Sequence, residues 1–156
     1  AGIRSNFIVG FPGESEADFQ TLLDFLAHAR LDAIGIFGYS DEDGTEAQSL
    51  DGQLSEREIK DRVETAAALV DQLLADRAAQ RVGEELLVLI EDTGEREGRA
   101  AHQGPEVDGT TRFVGGNDSP DDFAVGTYIR AQVINSEGAD LIAQRATSAS
   151  SAIEGR

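Results

Sequence analysis

At 156 residues and 40% hydrophobic content the chain has room for one domain or two small ones with a packed core, which excludes wholesale disorder. It has no cysteine and two histidines, which excludes disulfides, thiolate-bound zinc and iron–sulfur ligation within the chain, and no run approaches the roughly 18 apolar residues of a membrane helix. The net charge of −17 speaks against a general nucleic-acid binder, which neutralises phosphate with Lys and Arg, and fits either a basic protein partner or solubility alone.

The chain opens at Ala1-Gly2-Ile3-Arg4 without an initiator Met or signal-peptide pattern, as the interior of a longer protein would. Ile3 to Val9 is an apolar run that ends at Gly10-Phe11-Pro12-Gly13, the pattern of a strand and a tight turn. Ser15 and Asp18 form a capping box with Asp in the place of Glu. Phe19, Leu22, Leu23 and Leu26 follow at helical spacing, which predicts a helix over about residues 16–29. Ala33 to Tyr39 is a second strand without polar alternation, as expected when both faces are covered. Strand, helix and strand in this order predict a parallel βαβ unit.

Residues 40–54 read as a polar loop. Ser55 and Glu58 form a second capping box and open a long helix to about Arg81, apolar at Ile59, Val63, Ala66, Val70, Leu73 and Leu74, with Gly83 as its C-terminal cap. Beyond Gly83 the pattern changes to short strands near 85–92, 97–103, 110–115, 127–136 and 139–145, punctuated by glycines, with no helix between them. Ser136-Glu137-Gly138 reads as a hairpin connection. Five strands in about sixty residues predict a small five-stranded, OB-like β-barrel. The fold class is therefore α/β, a βαβ unit plus a long helix, followed by that barrel. The boundaries are 1–80 for the α/β part, 81–146 for the barrel and 147–156 for a Ser/Ala-rich tail that ends in the protease-site-like Ile153-Glu154-Gly155-Arg156. His28 and His102 are expected at the surface.

Acid is spread over both parts: residues 1–83 carry a net −9 and residues 84–145 a net −8. In a (β/α) barrel the functional groups sit on loops at the C-terminal ends of strands. Two such loops exist here, Gly10 to Glu14 and Tyr39 to Thr45. Glycines 10 and 13 would let the backbone approach a ligand closely.

Ile8-Val9-Gly10-Phe11-Pro12-Gly13-Glu14, then Asp18-Phe19, Tyr39-Ser40, Gly44-Thr45 and Ala47, resemble in order and spacing the late barrel motifs of the radical S-adenosylmethionine methylthiotransferases. Arg81-Val82-Gly83-Glu84 and the five strands resemble that family's TRAM domain. Arg4-Ser5-Asn6-Phe7, Leu23-Asp24-Phe25 and the run from Ala101 to Gly109 are most similar to the branch that modifies an aspartate of a small-subunit ribosomal protein. Phe37 to Thr45 and the single lysine, Lys60, resemble its actinobacterial members.

The resemblance implies a C-terminal piece of such an enzyme: the end of the radical SAM barrel, then the TRAM domain. It implies S-adenosylmethionine and two 4Fe-4S clusters in the parent, one of which generates a 5′-deoxyadenosyl radical that takes hydrogen from the β-carbon of the target aspartate. Every cluster ligand would lie upstream, so this piece would hold neither cluster and be inactive alone. Gly10, Phe11, Pro12, Gly13, Glu14, Tyr39 and Ser40 are implied to contact cofactor or substrate, with Glu14 equally suited to cap a neighbouring backbone. The transfer-RNA branch carries Pro-Arg where Asp41-Glu42 stands here, which points to a basic protein in place of a phosphate-bearing substrate. The barrel-loop acids Glu106, Asp108, Asp118, Asp121 and Asp122 are the expected docking groups for that ribosomal protein. RNA binding and membrane association are not expected, and a cytoplasmic location is. The alternatives are a transfer-RNA methylthiotransferase fragment and a stand-alone TRAM binding module.

Overall fold

The computed structural model describes residues 3–104, 109–116 and 119–147. The first part runs β1 (Arg4–Val9), α1 (Glu16–Ala29), β2 (Ala33–Gly38), a short 3-10 helix (Glu46–Ser49) and α2 (Glu56–Gln80). β1 and β2 pair in parallel with Arg4 opposite Ala33 and Val9 opposite Gly38, as the βαβ pattern predicts. Both capping boxes form. The Asp18 and Glu58 amides donate to the Ser15 and Ser55 hydroxyls at 3.1 and 3.2 Å, and each serine amide donates back to the carboxylate at 2.9 Å. These amide bonds hold both carboxyls below their ordinary pKa.

Both helices lie on one face of the two-stranded sheet. Leu26, Leu31, Ile34 and Val70 form one cluster, and Val9, Phe19 and Ala66 another. The opposite face is bare among the described residues, with Ile8 63% and Phe37 55% exposed. The apolar character of β2 therefore does not report cover on both faces here; its outward residues line a cleft.

The second part runs β3 (Glu85–Asp92), β4 (Glu97–Ala100), β5 (Thr111–Phe113), a 3-10 helix (Pro120–Phe123), β6 (Tyr128–Glu137) and β7 (Asp140–Arg145). The strands close a barrel in the order β3-β4-β5-β7-β6, with β5 and β7 parallel and the other pairs antiparallel. Closure leaves no free sheet edge. The core is Val88, Ile90, Ala100, Phe113, Phe123, Ile129, Ala131 and Ala143. At Gly98 a Cβ would stand 2.1 Å from the Leu89 carbonyl oxygen, so only glycine lets β3 and β4 approach this closely.

Four features depart from the sequence expectation. The 3-10 helix Pro120–Phe123 interrupts the strands, and its Phe123, 1% exposed, plugs the barrel beside Phe113 at a ring separation of 5.2 Å. β4 stops at Ala100 because Gln103 folds back: its Oε1 accepts from the Ala100 amide at 3.0 Å and the Thr111 hydroxyl at 2.7 Å. β6 continues through Glu137, which pairs with Asp140, so the hairpin turns on Gly138-Ala139, with Gly138 at φ 57°. His102 is half-buried, not at the surface, whereas His28 is exposed.

His102 sits where the two parts meet. Ala78 near the end of α2 packs with Val133, Leu141 and Leu86 of the barrel. Asp32 accepts from the Ile3 amide at 2.8 Å and pairs with Arg77 at 3.3 Å, and Arg81 bridges to Glu84 at 3.1 Å. Burial first, and then the positive charge of Arg81, push the His102 imidazole down to about 4, with Asp32 and Glu84 offsetting part of this. An imidazole depressed in the fold binds fewer protons than the unfolded chain, so its contribution to stability is lost as pH falls from 6.5 toward about 4. Urea unfolding of the chain and of His102→Gln at about pH 7 and about pH 5 checks this. The native chain is expected to lose stability relative to the variant at the lower pH; a difference that does not change with pH would contradict the burial of a neutral His102.

Candidate functional site

The loops that follow β1 and β2 open on the same end of the sheet and enclose a cleft of about 670 Å³. Asn6, Ile8, Phe11, Phe37, Tyr39, Ser40, Glu42, Thr45 and Ala47 line it together with Gly38. Alternation places Asn6, Ile8 and Phe37 on the face that the helices leave bare. The Phe11 and Tyr39 rings meet edge to face at 5.4 Å and form one wall. The Tyr39 hydroxyl donates to Asp41 Oδ1 at 2.8 Å. Partial desolvation, then this bond to Asp41, then the charges of Asp41 and Glu42, raise the phenol above its ordinary pKa.

Of the residues expected at the site, Phe11, Tyr39 and Ser40 line the cleft, and Gly10, Pro12, Gly13 and Glu14 build the turn behind it. Gly10 has φ 81°, and a Cβ on it would lie 2.6 Å from Ile59 Cγ1 of α2. Its missing side chain therefore makes room for a helix and not for a ligand. The same Ile59 lies 2.9 Å from the position of a Cβ on Gly38. Gly13, at φ 87°, has open space around its Cβ position, and its amide donates to the Gly52 carbonyl at 2.9 Å.

Glu14 caps a neighbouring backbone. Its Oε2 accepts from the Gly10 amide at 2.9 Å, and its Oε1 pairs with Arg62. Arg62 also donates to the Glu14 carbonyl at 3.2 Å and lies 5.3 Å over the Phe19 ring. Both side chains of the pair are nearly buried, 12% and 14% exposed. Arg62 is the positioning residue that motif reading missed. The available signal was its place three residues after Ile59 on the apolar seam of α2, where an unpaired charge does not belong.

Glu106, Asp108 and Asp118 lie outside the described residues. Asp121 and Asp122 are exposed on the 3-10 helix of the barrel and do not line the cleft. Asp122 is already engaged, accepting from the Ser119 amide at 3.0 Å and lying 3.7 Å from Arg145. No group of three or more His, Cys, Asp or Glu among the described residues is placed to hold a metal ion. The chain has no cysteine to offer a cluster. An aromatic wall beside hydroxyl and amide groups does suit a ligand that is part planar ring and part polar chain.

Residues 82–145 match the family model described as the TRAM domain. The chain is 57% identical over 150 residues to the ribosomal protein uS12 methylthiotransferase RimO of Nocardioides sp., a match that covers 92% of this chain and 30% of the relative. It is 56% identical over 144 residues to the protein of the same name from Saccharopolyspora erythraea, covering 91% of this chain and 29% of that one. The corresponding protein of Salinispora arenicola is 53% identical over 148 residues. The similarity runs through both parts of the chain, which spans about 30% of the length of the curated relatives it matches.

The Arg62–Glu14 pair sets the turn that carries Phe11. Replacing Arg62 with Ala leaves a nearly buried carboxylate without its cation, at an expected cost on the order of 3 kcal/mol. Arg62→Lys keeps the charge but loses the fork of donors and is expected to recover only part of that stability. Urea unfolding of the two variants checks the order; equal stability of Arg62→Ala and the native chain would contradict it.

Proposed function

We propose that the chain is the C-terminal part of an enzyme that methylthiolates the β-carbon of an aspartate in ribosomal protein uS12. The observation that carries this reading is the identity above 50% over nine-tenths of the chain, continuous from the cleft loops into the barrel. In this reading Phe11, Tyr39 and Ser40 contact cofactor or substrate at the mouth of the site, and Gly10, Pro12 and Gly13 build the turn behind them. Phe11 and Tyr39 supply the aromatic wall of the cleft, and the Arg62–Glu14 pair fixes the turn that carries Phe11. When bound, S-adenosylmethionine and two 4Fe-4S clusters supply the radical and sulfur chemistry. The cluster ligands would come from outside this chain, because a cysteine-free sequence has no thiolate to give.

The role of the 156 residues is then to shape and to dock. Ile8, Phe37 and Phe11 give one side of the cleft an apolar surface. The TRAM barrel, net −8 over residues 84–145, repels a phosphate backbone and attracts a cationic ribosomal protein. Asp121 is the free acid among the described docking candidates, and Asp122 acts as a cap. The enzyme works in the cytoplasm, where its substrate is made.

A chimaera tests the reading. This chain replaces the matching stretch of the full-length Nocardioides relative, and the reconstituted protein is given uS12 and S-adenosylmethionine under anaerobic reducing conditions. Mass spectrometry of uS12 is expected to show one methylthio group in place of one hydrogen on a single aspartate. A folded, cluster-loaded chimaera that cleaves S-adenosylmethionine but leaves uS12 unmodified, or modifies transfer RNA instead, would contradict it.

A further inference from the structure

The cleft is an exposed aromatic groove with a negative rim. Phe11 is 45% and Phe37 55% exposed, and the Tyr39 ring stands edge to face against Phe11. Asp41 and Glu42 follow directly on this wall, with Glu42 lining the cleft itself. Neither has an ion-pair partner among the described residues. The cations of the neighbouring helix are committed elsewhere: Arg57 to Asp61, Lys60 to Glu64, and Arg62 to Glu14 and Glu16. The Tyr39 hydroxyl holds Asp41 in place at the edge of the ring, so one carboxylate is pre-organised beside an aromatic surface. Rings that offer a π face next to unpaired carboxylates attract a cation twice, through the ring quadrupole and through charge.

We propose that this groove reads a cationic side chain of the protein substrate: an arginine or lysine flanking the modified aspartate lies along the Phe11–Tyr39 wall with its charge on Asp41 and Glu42. This rests on the methylthiotransferase reading and adds to it the residues that select the substrate segment. Asp41 and Glu42 are specificity determinants, because they touch a residue beside the one that reacts. The groove discriminates by charge: a neutral flanking residue leaves two carboxylates without a partner, and an acidic one is repelled.

The test uses the whole chain and two blocked pentapeptides, Gly-Arg-Asp-Arg-Gly and Gly-Gln-Asp-Gln-Gly, with calorimetry for affinity. The chain has no tryptophan and only two tyrosines, so in Tyr128→Phe the remaining fluorescence comes from Tyr39 and reports where the peptide sits. The arginine peptide is expected to bind at least about fivefold more tightly than the glutamine peptide and to raise Tyr39 emission as it draws Asp41 from the phenol. Asp41→Asn/Glu42→Gln is expected to erase the preference. Asp61→Asn/Glu64→Gln, which removes the same charge from the exposed side of α2, is expected to keep it. If the double variant at the cleft misfolds, Asp41→Asn alone, which keeps a partner for the phenol, is expected to reduce the preference at least twofold. Equal binding of the two peptides, equal loss in the α2 control, or a preference without change in Tyr39 emission would overturn the proposal. None of these outcomes bears on the methylthiotransferase reading, which the chimaera tests separately.

Discussion

The first half of the molecule depends on how α2 seats against the ends of the two strands. Ile59 occupies the space that side chains on Gly10 and Gly38 would fill, at 2.6 and 2.9 Å from their absent Cβ atoms. The same isoleucine therefore fixes the points where both strands turn into the loops of the cleft. Three residues on, Arg62 reaches under the first loop and holds it through Glu14, whose other oxygen caps the Gly10 amide. The turn is held by a nearly buried ion pair and a helix side chain, and its φ angles of 81° and 87° at Gly10 and Gly13 follow from that constraint. Close packing transmits such a constraint because interiors have no slack to absorb a shift.

The other end of α2 performs a second task. Ala78 enters the barrel's satellite core, and Arg77 and Arg81 gather Asp32, Glu84 and the half-buried His102 at the junction. One 25-residue helix thus sets the cleft at its N-terminal end and meets the β-barrel at its C-terminal end. The two parts differ in how they close. The barrel satisfies every strand within itself, whereas the two-stranded sheet keeps one apolar face uncovered among the described residues.

What was legible in the sequence was local. The serine-to-acid pairs at Ser15 and Ser55 mark both helix starts because a capping box is complete within four residues. The barrel strands are legible because glycines at close contacts such as Gly98 and turns such as Gly138 punctuate them. What was not legible depends on partners distant in sequence. Glu14 reads equally as a ligand group or a backbone cap until Arg62, 48 residues away, pairs with it. Gly10 reads as ligand space until Ile59 fills it. His102 reads as a surface residue until the end of α2 buries it, and the bare face of β2 is invisible to hydropathy because an apolar strand looks alike whether covered or lining a cleft. The plug formed by Phe123 was hidden by the polar Ser119-Pro120-Asp121-Asp122 run, which reads as loop although it is a capped turn.

Site-resolved hydrogen exchange of the native chain tests the central dependence most directly. If α2 holds the first loop, the Gly10 and Gly13 amides, bonded to Glu14 and to Gly52, exchange at the rate of the Ile59–Val63 segment and are released together with it. Exchange of those two amides at the rate of an open loop, while Ile59–Val63 stays protected, would contradict it.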